Sequence, residues 1–109
     1  MAEVVIAGGG VIGCACAYYL RKAGAGVTLL ESSEVGGAAS GAAAGMLVPP
    51  AEAVASPPFR DLARAGMAVY PDLVPALAAE TGIDVQYTDS GLLLTAASEG
   101  RAAALRAVA

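Results

Sequence analysis

Gly8, Gly10 and Gly13 stand at the spacing G-x-G-x-x-G, and an acid, Glu31, follows roughly 20 residues further on. Glycines so placed have a physical use beside a pyrophosphate. Gly8 allows a tight turn from strand to helix, Gly10 lets the backbone come close to phosphate oxygens, and Gly13 lets the helix pack closely on the strand. The carboxylate at the end of the next strand accepts hydrogen bonds from the hydroxyls of an adenosine ribose. The chemistry implied is the holding of a dinucleotide. In a chain with 14 glycines the glycine pattern alone says little, so its flanks must carry the argument.

Those flanks fit. Residues 3–7, EVVIA, form an apolar, β-branched run of the kind buried on both faces of a parallel sheet. The spacing then predicts a helix from Val11 to about Ala23, whose first amides and positive dipole end face the loop. Between Glu3 and Glu31 there is no Asp or Glu to compete for that end. Gly24 and Gly26 close the helix, residues 27–30 make a second strand, and Glu31 stands at its C-terminal end. The same residues admit plainer readings: Glu31 as a solvated strand-end acid, and the triple glycine as a flexible turn. A signal peptide or membrane helix over residues 4–20 is disfavoured by the three glycines, by Glu3 in place of a basic segment, and by the short length.

Composition narrows the partners. The 109 residues carry a net charge of −4 with six Lys and Arg, which argues against nucleic acid, and no basic run suits anionic lipid. Small molecules are the default ligands, and the expected location is cytoplasmic. No histidine is present, so the commonest general base and metal ligand is missing. Cys14 and Cys16 sit two apart on the first helix, cannot pair, and read as small core residues rather than metal ligands. The chain is 57% hydrophobic with a mean hydropathy of +0.65. Only two strands of a parallel sheet are found to bury that material, and the chain stops inside a predicted helix. It reads as the N-terminal piece of a longer protein, or as one whose sheet is completed by partners, and in isolation it is expected to expose apolar surface and aggregate.

Beyond residue 31 runs a Gly/Ala/Ser stretch, GGAASGAAAG at its heart, whose small side chains let backbone approach a ligand. After Pro49-Pro50 and Pro57-Pro58 a helix is expected over residues 58–70. Pro71 kinks or restarts it, and a second helical piece to Thr81 is capped by Gly82. Residues 83–87 and 92–96 read as strands joined antiparallel through Asp89-Ser90-Gly91. A last helix spans residues 98–108, with Ser98 as N-cap and Glu99 in its first turn. Arg60, Arg64, Arg101 and Arg106 fall on helices and read as solvated face residues. The expected fold class is α/β: a Rossmann-like βαβ unit over residues 1–48, then the start of an α+β region over residues 49–109.

The segment ESSEVGGAASGAAAGMLVPPAE behind the glycine motif resembles the FAD-binding N-terminus of the D-amino-acid oxidase superfamily, and within it the glycine oxidases of thiamine biosynthesis. The later strands TGIDVQY and SGLLLTA resemble that family in order, so the likeness covers essentially the whole chain. It implies FAD as cofactor and a two-domain protein, of which this chain supplies the first part of each domain. Carried over by position, it implies Gly8, Gly10 and Gly13 in the phosphate turn, Val11 and Ile12 at the pyrophosphate, Glu31 on the ribose and Ser32 on the adenosine side. It further implies Ala39 and Ser40 near the diphosphate and ribityl, and Ala44, Gly45 and Met46 along the flavin. Residues 42–44 also read as a short helix, which is compatible with flavin contact. Gly41 is a departure from the resemblance, since such relatives often carry a polar or larger residue there.

The reaction implied is oxidation of a small amino acid or amine, such as glycine, sarcosine or a D-amino acid, with hydride transfer to flavin N5 and reoxidation by oxygen. A homo-oligomer of the full-length protein is left open. No catalytic residue and no metal ligand is assigned, because the substrate-gripping arginine of such relatives lies much later than residue 109. Glu52 and residues 48–51 are expected to border the substrate entrance. Two alternatives stay open on the residues alone: a nicotinamide-dependent dehydrogenase, which has no reason for the AAAGM loop, and a non-catalytic dinucleotide-binding fragment.

Overall fold

The computed structural model describes residues 2–48 and 57–107. Its contacts divide the chain into two compact units, Met1–Met46 and Leu47–Ala109.

The first unit is a βαβ crossover. Strand β1 (Glu3–Ala7) leads into helix α1 (Val11–Lys22) and strand β2 (Gly26–Leu30), and the strands pair in parallel with Glu3 opposite Gly26 and Ala7 opposite Leu30. Two further bonds extend the pairing, Gly26 N–H to Ala2 O at 2.8 Å and Gly8 N–H to Leu30 O at 2.7 Å. The helix ends as expected: Gly24 adopts φ +86°, its N–H bonds to Arg21 O at 3.0 Å, and the Ala25 N–H reaches back to Leu20 O at 3.0 Å. This is the Schellman pairing that satisfies the last helical carbonyls.

The sheet departs from one expectation. Val4 and Ile6 are half-buried while Val5 is 68% exposed, so α1 covers one face of β1 and the other is bare. Full burial of a parallel strand needs helices on both faces, and one crossover supplies only one. Ala25 is the single buried apolar residue among those described. Cys16 is therefore exposed rather than in a core, and Cys14 is half-buried. Residues 39–42 form a single helical turn, α2 (Ala39–Ala42), and Ala43 is already extended at φ −68°, ψ 142°. The short helix thus lies N-terminal to the expected 42–44.

In the second unit, α3 (Pro57–Met67) and α4 (Tyr70–Thr81) are separate helices. Pro71 lies in the first turn of α4, where its missing N–H costs nothing, so it starts a helix rather than kinking one. Gly82 closes α4 in the left-handed region at φ +71°. Helix α5 (Glu99–Arg106) starts on Ser98, whose Oγ accepts the Arg101 N–H at 3.3 Å.

The antiparallel strands expected over 83–87 and 92–96 are not formed. Gln86 sits at φ +53°, outside the extended region, and its N–H bonds to Asp84 Oδ1 at 2.8 Å. The Ile83 N–H goes to Thr81 Oγ1 at 3.1 Å. Backbone donors that a ladder would use are taken by neighbouring side chains, a competition that Asp and Thr favour. An isolated two-stranded hairpin with Ile83 63% and Leu93 86% exposed has no face to bury, and such hairpins are marginal in water. Among the described residues no helix is long and apolar enough to cross a membrane.

Candidate functional site

Three segments of the first unit meet where β1 ends: the turn 8–10 with the start of α1, residues 31–33 after β2, and residues 36–42. Each approach has a local cause. Gly8 holds φ +106°, a conformation that side-chain-bearing residues rarely adopt, and this turns the chain sharply from β1 toward α1. A methyl group on Gly13 would overlap the backbone carbonyl oxygen of Gly8, so only glycine lets the first turn of α1 lie this close to the strand exit. Gly41 has a similar reason. A Cβ there would run into Gly36 O, so glycine at this position lets α2 settle against the 36 turn.

Hydrogen bonds then tie the segments together. Glu31 Oε2 accepts the Gly9 N–H at 2.8 Å across 22 residues, and Ser40 Oγ accepts the Val11 N–H at 2.8 Å across 29. The Gly9 carbonyl accepts the Gly36 N–H at 2.9 Å and the Cys14 thiol at 3.4 Å. Gly10 precedes α1 and has no side chain with which to cap it, so Ser40 supplies the cap from a distant part of the chain.

The electrostatics divide cleanly. Glu31 Oε1 accepts from the Ser33 N–H at 3.0 Å and the Ser32 hydroxyl at 3.2 Å, while Oε2 faces Gly9. The Gly9 N–H, then the Ser33 N–H, then the Ser32 hydroxyl hold the carboxyl down from its ordinary 4.5 to about 2. It is ionised at any physiological pH. On the other side, α1 has no acid in its first turn, and the Ile12 and Gly13 amides precede any helical acceptor. An amide-lined, dipole-positive helix start therefore begins two residues after Gly9, whose amide the Glu31 carboxylate holds. The first suits a phosphate and the second suits sugar hydroxyls, which is the donor and acceptor set of a dinucleotide.

The expected site residues fall into two groups. Gly8, Gly10, Val11, Ile12, Gly13, Glu31, Ser32, Ala39 and Ser40 lie on the three segments that these contacts join. Ala44, Gly45 and Met46 follow α2 without hydrogen bonds to the notch, and Met46 is 72% exposed. Glu52 and residues 49–51 lie outside the described residues. Sequence reasoning missed Gly9, Ser33 and Gly36 as members of the network. No local sequence signal marks these three, because their bonds join residues distant in the chain or turn on a side-chain orientation. Arg64, Arg101 and Arg106 are exposed on helices of the second unit, and Arg60 is half-buried. Among the described residues no group of His, Cys, Asp and Glu could hold a metal.

The family model described as FAD dependent oxidoreductase (DAO) matches residues 3–109. Over 97 residues the chain is 42% identical to the glycine oxidase of Bacillus licheniformis, covering 89% of this chain and 26% of that protein. It is 40% identical over 100 residues to the glycine oxidase of Geobacillus kaustophilus, covering 92% and 26%. The bifunctional protein ThiO/ThiG of Trichormus variabilis is 38% identical over 91 residues, covering 84% and 14%. The chain thus spans about a quarter of the length of the glycine oxidases it matches. With the family model matching residues 3–109, the chain belongs to the DAO family of FAD-dependent oxidoreductases.

Proposed function

We propose that the protein is an FAD-dependent amine oxidase of the glycine oxidase kind, acting on a small amino acid or amine. The observation that carries this is the notch itself, in a chain of this family: the Ile12 and Gly13 amides at the start of α1, an ionised Glu31 at the end of β2, and the GGAASGAAAG loop held to Gly9 by Gly36 and to Val11 by Ser40.

In this reading the Val11 and Ile12 backbone meets the pyrophosphate, Glu31 takes the adenosine ribose hydroxyls and Ser32 borders the adenosine. Ala39 and Ser40 border the diphosphate and ribityl, and Ala44, Gly45 and Met46 line the flavin with backbone that no bulky side chain shields. FAD held by these residues would supply the redox chemistry for oxidising a small amino acid or amine, with oxygen as the final acceptor. Residues of this chain bind and orient; none is assigned to the substrate. Residues 1–48 open the FAD domain and residues 49–109 open the substrate domain. The thiamine-pathway and cytoplasmic assignments rest on the resemblance and belong to the proposal.

The test is the visible absorption spectrum of the protein at its full encoded length. Flavin bands that bleach when glycine or sarcosine is added without oxygen are the expected result. A colourless protein that takes up no FAD on reconstitution, or one that retains a nicotinamide cofactor, would overturn the reading.

A further inference from the structure

We infer that Glu31 is a positioning residue for the glycine turn as well as a ligand contact: its carboxylate ties Gly9 to the β2 exit and sets the shape of the phosphate cradle before any ligand arrives. The inference rests on the dinucleotide reading of the notch and goes beyond it, because a ribose contact requires nothing of Glu31 in the empty protein.

Gly9 is the buried member of the turn, and both of its backbone polar groups are held by residues far along the chain. Its N–H goes to Glu31 Oε2 at 2.8 Å, and its carbonyl takes the Gly36 N–H at 2.9 Å. The Glu31 side chain lies flat against this peptide. A Cβ placed on Gly9 would come within 3.2 Å of Glu31 Cβ and 3.3 Å of Oε2. The other carboxylate oxygen is bound to Ser33 N–H at 3.0 Å and Ser32 Oγ at 3.2 Å. One side chain thus joins two turns, with one oxygen assigned to each. A carboxylate alone can do this, since both of its oxygens are acceptors and each has lone pairs to spare for an incoming hydroxyl. A glutamine would set its NH₂ against a second donor.

The experiment separates shape from ribose contact by removing the ribose hydroxyls from the ligand. Dissociation constants are measured by flavin fluorescence for FAD and for an FAD analogue whose adenosine ribose is 2′,3′-dideoxy. The proteins are the full-encoded-length parent, Glu31→Ala and, as a size-conserving variant, Glu31→Gln. If Glu31 shapes the cradle, Glu31→Ala weakens the dideoxy analogue roughly five- to tenfold although no hydroxyl is there to lose, and Glu31→Gln weakens it less. In the flavin-free proteins, amide hydrogen exchange is expected to accelerate at both Gly9 and Ser33 in Glu31→Ala and at one of the two in Glu31→Gln, while α5 is unaffected. Equal affinity of parent and variants for the dideoxy analogue, with unchanged exchange at Gly9, would overturn the inference and leave Glu31 a ribose contact only. Should the parent bind no flavin, the cofactor reading fails, and exchange at Gly9 and Ser33 in the empty protein still decides whether Glu31 holds the turn.

Discussion

The two units of the chain are held together differently. In Met1–Met46 the bonds that define structure join distant residues: Gly9 with Glu31 across 22 positions, Val11 with Ser40 across 29, and β1 with β2 in parallel register. In Leu47–Ala109 the side-chain hydrogen bonds described span two to seven positions, as in Gln86 with Asp84, Thr81 with Leu77 and Arg106 with Glu99. The stacked rings of Tyr70 and Tyr87, 5.5 Å apart, are the longer tie there. Long-range bonds fix the relative position of groups that share no element, which is what a ligand cradle demands. Local bonds cap helices and turns. The candidate site lies where the long-range bonds lie, and the contrast teaches that site geometry in this chain is a property of the crossover rather than of its helices.

Glycine gives the sharpest way to break that contrast, because one substitution has opposite consequences in the two units. Gly13→Ala puts a methyl group onto the Gly8 backbone, which must shift, and is expected to destabilise the first unit by about 2–3 kcal/mol in denaturant titrations and to abolish FAD uptake. Gly66→Ala in α3 meets nothing within 4 Å and removes only the helix penalty of glycine, so it is expected to stabilise by about 0.5–1 kcal/mol. A Gly13→Ala protein as stable as its parent would show that the close approach is not needed.

The two helix caps sharpen the comparison. Ser40→Ala and Ser98→Ala each remove the cap of one helix, at about 1 kcal/mol of stability. Only Ser40→Ala, whose cap bridges two segments, should also change the dissociation constant of FAD. Equal flavin affinities for both variants would mean that the Ser40 bond plays no part in the site. The smallest effect is expected for Arg106→Ala, since the Glu99–Arg106 pair is exposed on both sides and such pairs contribute about 0.5 kcal/mol or less.

Acid titration probes the same difference through Glu31. Its folded-state value of about 2 lies below the ordinary 4.5, so the ionised carboxylate contributes stability that is present above pH 4.5 and is lost as pH falls toward 2. The Gly9 amide resonance is expected to stay constant from pH 8 to 5 and to move only in that acid window. A midpoint near 4.5 would show that the Gly9 and Ser33 bonds do not persist in solution.

Much of the first unit was legible because each of its signals is local and the signals agree. EVVIA has strand character, Gly8 and Gly24 mark turns, and an apolar helix lies between them; their order permits little besides a crossover. Glu31 could be placed for the same reason. What could not be read were bonds between residues with no mutual sequence signal. Nothing in Ser40 names Val11, and nothing in Gly9 names Glu31. In the second unit the helix ends were legible from Pro71, Gly82 and Ser98, each of which acts on its own turn. The strands over 83–87 and 92–96 failed because alternating apolar residues state only a preference, which needs an opposing face. Asp84 and Thr81 took the backbone donors first.

The measurement that tests the central claim most directly is amide hydrogen exchange on the full-encoded-length protein, apo and with FAD. FAD is expected to increase protection over residues 8–13, 31–33 and 39–46, with no change over 83–97. Protection that rises elsewhere while residues 8–13 and 31–33 exchange as before would contradict the account, because the bonded notch of the first unit would then not be where the cofactor is held.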